Sequence, residues 1–370
     1  MNAQTASTPR FYDVQVKQVL AEAADSVAIT LAIPADVRER FHFEPGQFLT
    51  LKTTIEGEEV RRTYSISSPR SRLRTHGELE VGIRAVDGGL FSNWAAQSLK
   101  VGDQLSVMPP EGRFVVKKAR ALHRVGFAAG SGITPILSIA ATTLEEQPNA
   151  KFTLVYGNRR TTSVMFNEAL QDLKDRYPDR LTLIHVLSQQ AQEVDLLQGR
   201  IDGAKINALV EALLPAASMD EVFICGPEAM IDATEATLVA LNVPKDRIYS
   251  ERFNTGSAMH TRNTVRFNSG QEEAELVRDI NLTVVLDGVR HELKVSEQEH
   301  LLDAALNLGL DLPYSCKAGV CCTCRAKVVE GEVSMDKNYT LEADEVAQGF
   351  VLSCQARAQS KNLVISYDER

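Results

Sequence analysis

No stretch of this 370-residue chain is apolar for the ~20 consecutive residues that crossing a bilayer as a helix requires. Its first residues, Met1-Asn2-Ala3-Gln4-Thr5-Ala6, hold neither a basic segment nor an apolar core, so export is not expected. The expected setting is the cytoplasm, where cysteines stay reduced and a cluster of them points to metal or redox chemistry. There is no internal repeat and no low-complexity tract, which excludes solenoids and repeat arrays. Positive charge is not in excess either. The formal net charge is −9, unfavourable for nucleic acid. What remains is a globular composition, 44% hydrophobic and 24% charged, in a chain long enough for two or three domains.

The charge is unevenly placed. Residues 271–370 carry 18 Asp and Glu against 10 Lys and Arg, a net of −8, and the first 270 are nearly neutral. An acidic C-terminal module of this kind is suited to a basic protein surface, although solubility alone would also explain it. The pattern of elements changes twice along the chain. Short β-branched runs occur at 12–19, 26–33, 47–53, 62–67, 78–86 and 104–108, with Pro45-Gly46 and Glu56-Gly57 as breakers. They predict a six-stranded antiparallel barrel over 8–116, interrupted by one helix that Ser92 caps. From about Arg120 strand-like and amphipathic segments alternate, predicting a doubly wound parallel sheet over 117–253 with ligands at its strand ends. An aperiodic linker is expected over 254–278, and a small α+β unit over 279–370.

Five of the six cysteines lie between 316 and 354. Cys316-x4-Cys321-x2-Cys324, followed after 29 residues by Cys354, has the spacing of a plant-type [2Fe–2S] site. Two irons need four thiolates, and a tight loop of small residues lets backbone amides turn toward the sulfurs. A structural zinc site is the competing reading, but such sites favour two C-x2-C knuckles and only one is present. Cys322 adds a thiol beside a ligand and is either a packing residue or an alternative ligand.

Two further groups of residues point to nucleotides. Arg62-Thr63-Tyr64-Ser65 and Gly89-Leu90-Phe91-Ser92 supply a cation, helix-start amides, an aromatic wall and a hydroxyl, which are the contacts a flavin dinucleotide needs at its pyrophosphate, its ring and N5. Gly130-Ser131-Gly132-Ile133-Thr134-Pro135 joins a strand to a helix as a phosphate cradle, with Pro135 expected at the first helical position. It is not the G-x-G-x-x-G fingerprint. Cys225-Gly226-Pro227 opens a second helix in the same manner. After the second strand of this domain comes Arg159-Arg160 with no acidic residue, which favours a 2′-phosphate and hence NADPH over NADH.

In this order the motifs resemble the ferredoxin–NADP reductase superfamily joined to a C-terminal plant-type ferredoxin. The resemblance covers essentially the whole chain. Gly199-Arg200-Ile201-Asp202-Gly203, Glu251-Arg252-Phe253-Asn254-Thr255 and Val351-Leu352-Ser353-Cys354-Gln355 are similar to the reductase subunits that serve phenylacetyl-CoA epoxidases. That resemblance implies a multidomain protein: a six-stranded FAD-binding barrel, a doubly wound nucleotide-binding domain and a β-grasp ferredoxin domain. It implies catalytic roles for Ser65 at the flavin, Cys225 at the nicotinamide and Glu251, with Phe253 closing the flavin site. Ile83, Arg84 and Thr134 complete the implied cofactor contacts. The implied electron path runs from NADPH through FAD and the cluster to a di-iron oxygenase or epoxidase complex, docked by the acidic module. A reductase for a ring-hydroxylating or steroid oxygenase is the alternative. So is a redox-sensing or zinc-bearing interaction protein without turnover.

Overall fold

The computed structural model describes residues 10–117, 122–253 and 279–369. The expected linker, 254–278, and the first two residues of the expected barrel domain lie outside them. The chain divides into two compact units, one of Phe11–Phe253 and one that contains residues 279–369, and each is described by itself.

The first unit begins with six strands: β1 (Tyr12–Ala23), β2 (Ser26–Ala32), β3 (Phe48–Ile55), β4 (Glu58–Ser65), β5 (Glu78–Arg84) and β6 (Gln104–Val107). Their order is β4-β3-β6-β1-β2-β5, every ladder is antiparallel, and an Ile66–Val81 bridge joins the two ends into a barrel. Alternation places Val14, Val16, Leu49, Leu51 and Val81 inside, each contributing roughly 1.5–3 kcal/mol. Glu56 and Gly57 both adopt positive φ in the two-residue turn between β3 and β4, matching strand twist. Two helices interrupt the strands, where one was expected. The additional one, α1 (Arg70–His76), buries only Leu73 and so leaves no periodic signal. The expected one, α2 (Leu90–Gln97), starts two residues early with Gly89 as its cap. Ser92 lies inside the helix instead, where its Oγ accepts from the Val86 amide at 3.3 Å.

Five parallel strands follow: β7 (His123–Ala129), β8 (Lys151–Asn158), β9 (Leu181–Leu187), β10 (Glu221–Gly226) and β11 (Ile248–Arg252), ordered β11-β10-β7-β8-β9. Between them run α3 (Ile133–Glu146), α4 (Asn167–Arg176), α5 (Gly203–Ala212) and α6 (Glu228–Ala240). Buried residues of α3 and α4 pack with Phe152, Leu154 and Tyr156 on one face. Those of α5 and α6 pack with Val125, Phe127 and Val155 on the other, so the sheet is doubly wound. At its base the fully buried Arg124 pairs with Glu221 at 2.8 Å, and breaking such a pair costs about 3–5 kcal/mol.

The second unit comprises β12 (Ile280–Leu286), β13 (Val289–Val295), α7 (Leu301–Asn307), β14 (Arg325–Glu330), β15 (Val333–Met335), α8 (Ala343–Ala347), β16 (Phe350–Leu352), β17 (Ala356–Ala358) and β18 (Asn362–Ser366). A mixed sheet ordered β13-β12-β18-β14-β16 packs against α7, and β15 pairs with β17. The elements the sequence did not announce (β15, β16, β17 and α8) are three to five residues long, too short for a period. Among the described residues no helix is long and apolar enough to cross a membrane.

Candidate functional site

Ser65 ends β4, and its hydroxyl donates to Glu251 Oε2 at 3.0 Å. Glu251 lies on β11 directly beside Cys225 of β10. Three residues far apart in sequence therefore meet where the barrel touches the parallel sheet. Burial pushes the Glu251 carboxyl up to about 8, against the opposing pull of the Ser65 hydrogen bond. Burial, and then the Glu251 charge, push the Cys225 thiol well above its usual range. Around neutral pH the pocket thus holds a neutral thiol and a largely protonated carboxyl.

The strand divides the Arg62–Ser65 set. Thr63 and Ser65 share one face of β4; Arg62 and Tyr64 share the other. The half-buried Tyr64 ring lies 5.5 Å from that of Phe91 on α2, which places Tyr64 next to the Gly89–Ser92 helix start. The first-turn amides of α2 have no intrahelical acceptor. Arg62 is exposed and, among the described residues, donates to the neighbouring Arg61 carbonyl at 2.8 Å. These residues suit a flavin dinucleotide: an exposed cation, amides without an intrahelical acceptor, an aromatic ring and a buried proton-holding pair. Ile83 differs, since its side chain is wholly in the barrel core. Phe253 is half-buried against the core that contains α3, β8 and Cys225.

At the carboxyl ends of β7 and β10 the two glycine loops touch. Gly130–Gly132 form a single 3-10 turn, and α3 begins at Ile133. Pro135 is therefore its third residue rather than its first, still within the turn whose amides lack acceptors. A Cβ on Gly132 would sit 2.1 Å from the Cys225 carbonyl oxygen, so only glycine fits there. Thr134 Oγ1 donates to the Ser131 carbonyl at 3.0 Å and the Tyr156 hydroxyl to the Gly130 carbonyl at 2.9 Å, which fixes the turn. Gly226 and Pro227 begin the neighbouring loop and lead into α6.

Arg159 and Arg160 are exposed just beyond β8, and neither guanidinium makes an ion pair among the described residues. Their backbone is held in place. The Gln189 amide donates to the Arg159 carbonyl at 2.8 Å and the Arg160 amide to Ser163 Oγ at 3.1 Å. From the barrel, Arg84 donates to the Ser163 carbonyl at 2.6 Å, so Arg84 lies with the nucleotide loops and not with Tyr64. Sequence reading missed the positioning role of Tyr156. A tyrosine in the middle of a buried strand must find a partner for its hydroxyl, and that is the signal that was available.

In the second unit, the Cys316 and Cys321 thiols interact electrostatically with one another, and so do those of Cys324 and Cys354. The sulfurs thus form two pairs, the grouping that two irons with two thiolates each require. Among the described residues no three His, Cys, Asp or Glu side chains converge on one metal-ion position. The Cys316 thiol is pulled down, first by the Cys321 thiol and further by the amides of Ala318, Val320 and Cys321. Cys321 is pushed up by its neighbour Cys316, as Cys324 is by Cys354. Lys317, Gly319 and Cys322 all adopt positive φ, the turns that aim these amides inward. Among the described residues the buried Ser315 hydroxyl, next to Cys316, has no partner, and a sulfur acceptor would satisfy it. Cys322 turns elsewhere, its Sγ 2.8 Å from Thr340 Oγ1. The donor set fits an iron–sulfur cluster.

Three parts of the chain match known families. Residues 13–116 match the one described as Oxidoreductase FAD-binding domain, 127–236 Oxidoreductase NAD-binding domain and 284–359 2Fe-2S iron-sulfur cluster binding domain. The chain is 45% identical to one of the subunits of the 1,2-phenylacetyl-CoA epoxidase of Escherichia coli, over 97% of this chain and 98% of that protein. It is 33% identical to the ferredoxin reductase component of 3-ketosteroid-9-alpha-monooxygenase from Rhodococcus rhodochrous, over 95% of each. Among solved structures, phthalate dioxygenase reductase shares the fold, with a TM-score of 0.59 at 21% identity, over 96% of this chain and 98% of that one.

Proposed function

We infer the function from one premise: the chain belongs to the family of FAD- and [2Fe–2S]-containing reductases that includes the Escherichia coli epoxidase protein it matches from end to end. It is an NAD(P)H-dependent oxidoreductase. When bound, the flavin accepts electron pairs from the nicotinamide and releases them singly, and the cluster carries them one at a time.

The protein's own residues divide that work. Arg62 and the amides that open α2 hold the flavin's pyrophosphate, and Tyr64 and Ser65 flank its ring. The Gly130–Thr134 turn and Gly226-Pro227 receive the nicotinamide nucleotide, with Cys225 packed at the reacting end. Glu251 keeps a proton on its carboxyl up to about pH 8 and exchanges it through the Ser65 hydroxyl. Arg159 and Arg160 take the 2′-phosphate of NADPH, supported by their exposure and by the absence of ion pairs to them among the described residues. Cys316, Cys321, Cys324 and Cys354 hold the cluster.

The acceptor is a di-iron oxygenase, the phenylacetyl-CoA epoxidase complex, met in the cytoplasm by the acidic C-terminal module. The observation that carries this is end-to-end identity of 45% to the epoxidase protein, against 33% to the steroid monooxygenase component. Mixing the purified chain with the oxygenase components of each system tests it. Substrate-dependent NADPH consumption is expected with the epoxidase; coupling only to the steroid enzyme would overturn the assignment. Raising salt should slow acceptor reduction while leaving flavin reduction by NADPH nearly unchanged, and equal sensitivity would count against acidic docking.

A further inference from the structure

Gln355 directly follows the fourth cysteine and is 2% exposed. Burying a carboxamide is costly unless its hydrogen bonds are made. The Gln355 amide nitrogen donates to the Lys317 carbonyl at 3.0 Å and to the Cys354 carbonyl at 2.9 Å, and it lies 3.8 Å from Cys354 Sγ. Its stem lies beneath the cysteine loop. A Cβ on Gly319, where φ is +78°, would come within 3.3 Å of Gln355 Cγ. One side chain therefore reaches both the loop that carries Cys316, Cys321 and Cys324 and the distant strand end that carries Cys354.

We propose that Gln355 is a positioning residue for the cluster, tying the ligand loop to Cys354 and raising the reduction potential through an N–H that it shares between the Cys354 carbonyl and the Cys354 sulfur. The inference rests on the reading of the four cysteines as ligands. Its physical basis is the sign of the charge change. The reduced cluster is the more negative form, so a donor aimed at a ligand sulfur stabilises it preferentially. A residue that only filled space beneath Gly319 would leave the potential where it was.

The test uses the full-length, cluster-loaded protein and reads midpoint potential by mediated titration, together with iron content. Gln355→Glu keeps the shape, removes the donors and adds an acceptor. At a fixed potential the reduced-to-oxidised ratio should fall about ten-fold, a shift of ~59 mV to the negative for one electron. Gln355→Met keeps the bulk without the donors, and about a three-fold fall is expected. Potentials equal to wild type in both variants, with full iron, overturn the proposal. A third readout needs no variant. In wild-type protein carrying side-chain 15N-glutamine, pulsed EPR of the reduced cluster should show coupling to one labelled amide, and absence of coupling also overturns the proposal. The ligand reading fails differently: wild-type protein would then carry no iron–sulfur cluster at all.

Discussion

Cys225 and Cys316 are both thiols at a redox site, and the protein drives them in opposite directions. Cys225 sits at a strand end with nothing to stabilise a thiolate, so burial and the nearby Glu251 keep it neutral. Cys316 lies in a loop whose amides point at it and beside the Cys321 thiol, so it gives up its proton easily. Residue type alone does not set a thiol's acidity; the local supply of N–H donors does. The two pockets also differ in how they are assembled. Three of the four thiols proposed to hold the cluster come from nine consecutive residues, whereas the proposed flavin-side pocket draws residues 65, 225 and 251 together through the packing of the barrel against the parallel sheet.

The sharpest way to break this comparison is Cys354→Ala. Acceptor reduction and the iron–sulfur absorption should vanish, while flavin reduction by NADPH stays within about two-fold. Loss of both activities would mean that the two sites are not separable. Next comes the nucleotide side. Arg159→Ala with Arg160→Ala should raise KM for NADPH by about ten- to a hundred-fold and leave KM for NADH unchanged. Equal losses for both coenzymes would sink the 2′-phosphate assignment.

Gly132→Ala forces a methyl group against the Cys225 carbonyl, so the two glycine loops must separate. A loss of about 1–3 kcal/mol in stability is expected, with weaker NADP+ binding in calorimetry, and unchanged binding would show that the turn tolerates the shift. The smallest effect is a pH slope. The folded chain holds a proton on Glu251 up to about pH 8 that the unfolded chain releases near 4.5. This group's contribution to stability therefore falls as pH rises across that window and is flat above it. Glu251→Gln should flatten the fall in Tm between pH 5 and 9 and raise Tm at the alkaline end. A slope identical to wild type would show that the carboxyl is ionised throughout.

Much of the plan was legible from residues alone, and the misses have physical causes. The barrel and parallel strands came within a few residues of their observed limits because alternation and β-branching survive in the chain. The helix Arg70–His76 was invisible because one buried leucine makes no period. Ser92 looked like a cap, but Gly89 begins the helix and Ser92 bonds to Val86 and Gly89 inside it. Cys322 could not be assigned from spacing, since its position permits ligation. Its positive φ turns the thiol to Thr340 instead.

By itself the sequence determined the domain order, the acidic character of the C-terminal module and the four-cysteine spacing. Each is local or compositional, and so is written in consecutive residues. Only the tertiary structure decided that Ser65 bonds Glu251, that Glu251 holds a proton near neutral pH, and that Gln355 spans the ligand loop and Cys354. These depend on burial and on contacts between segments separated by as many as 186 residues. Desolvation and hydrogen-bond geometry arise only when the chain is packed.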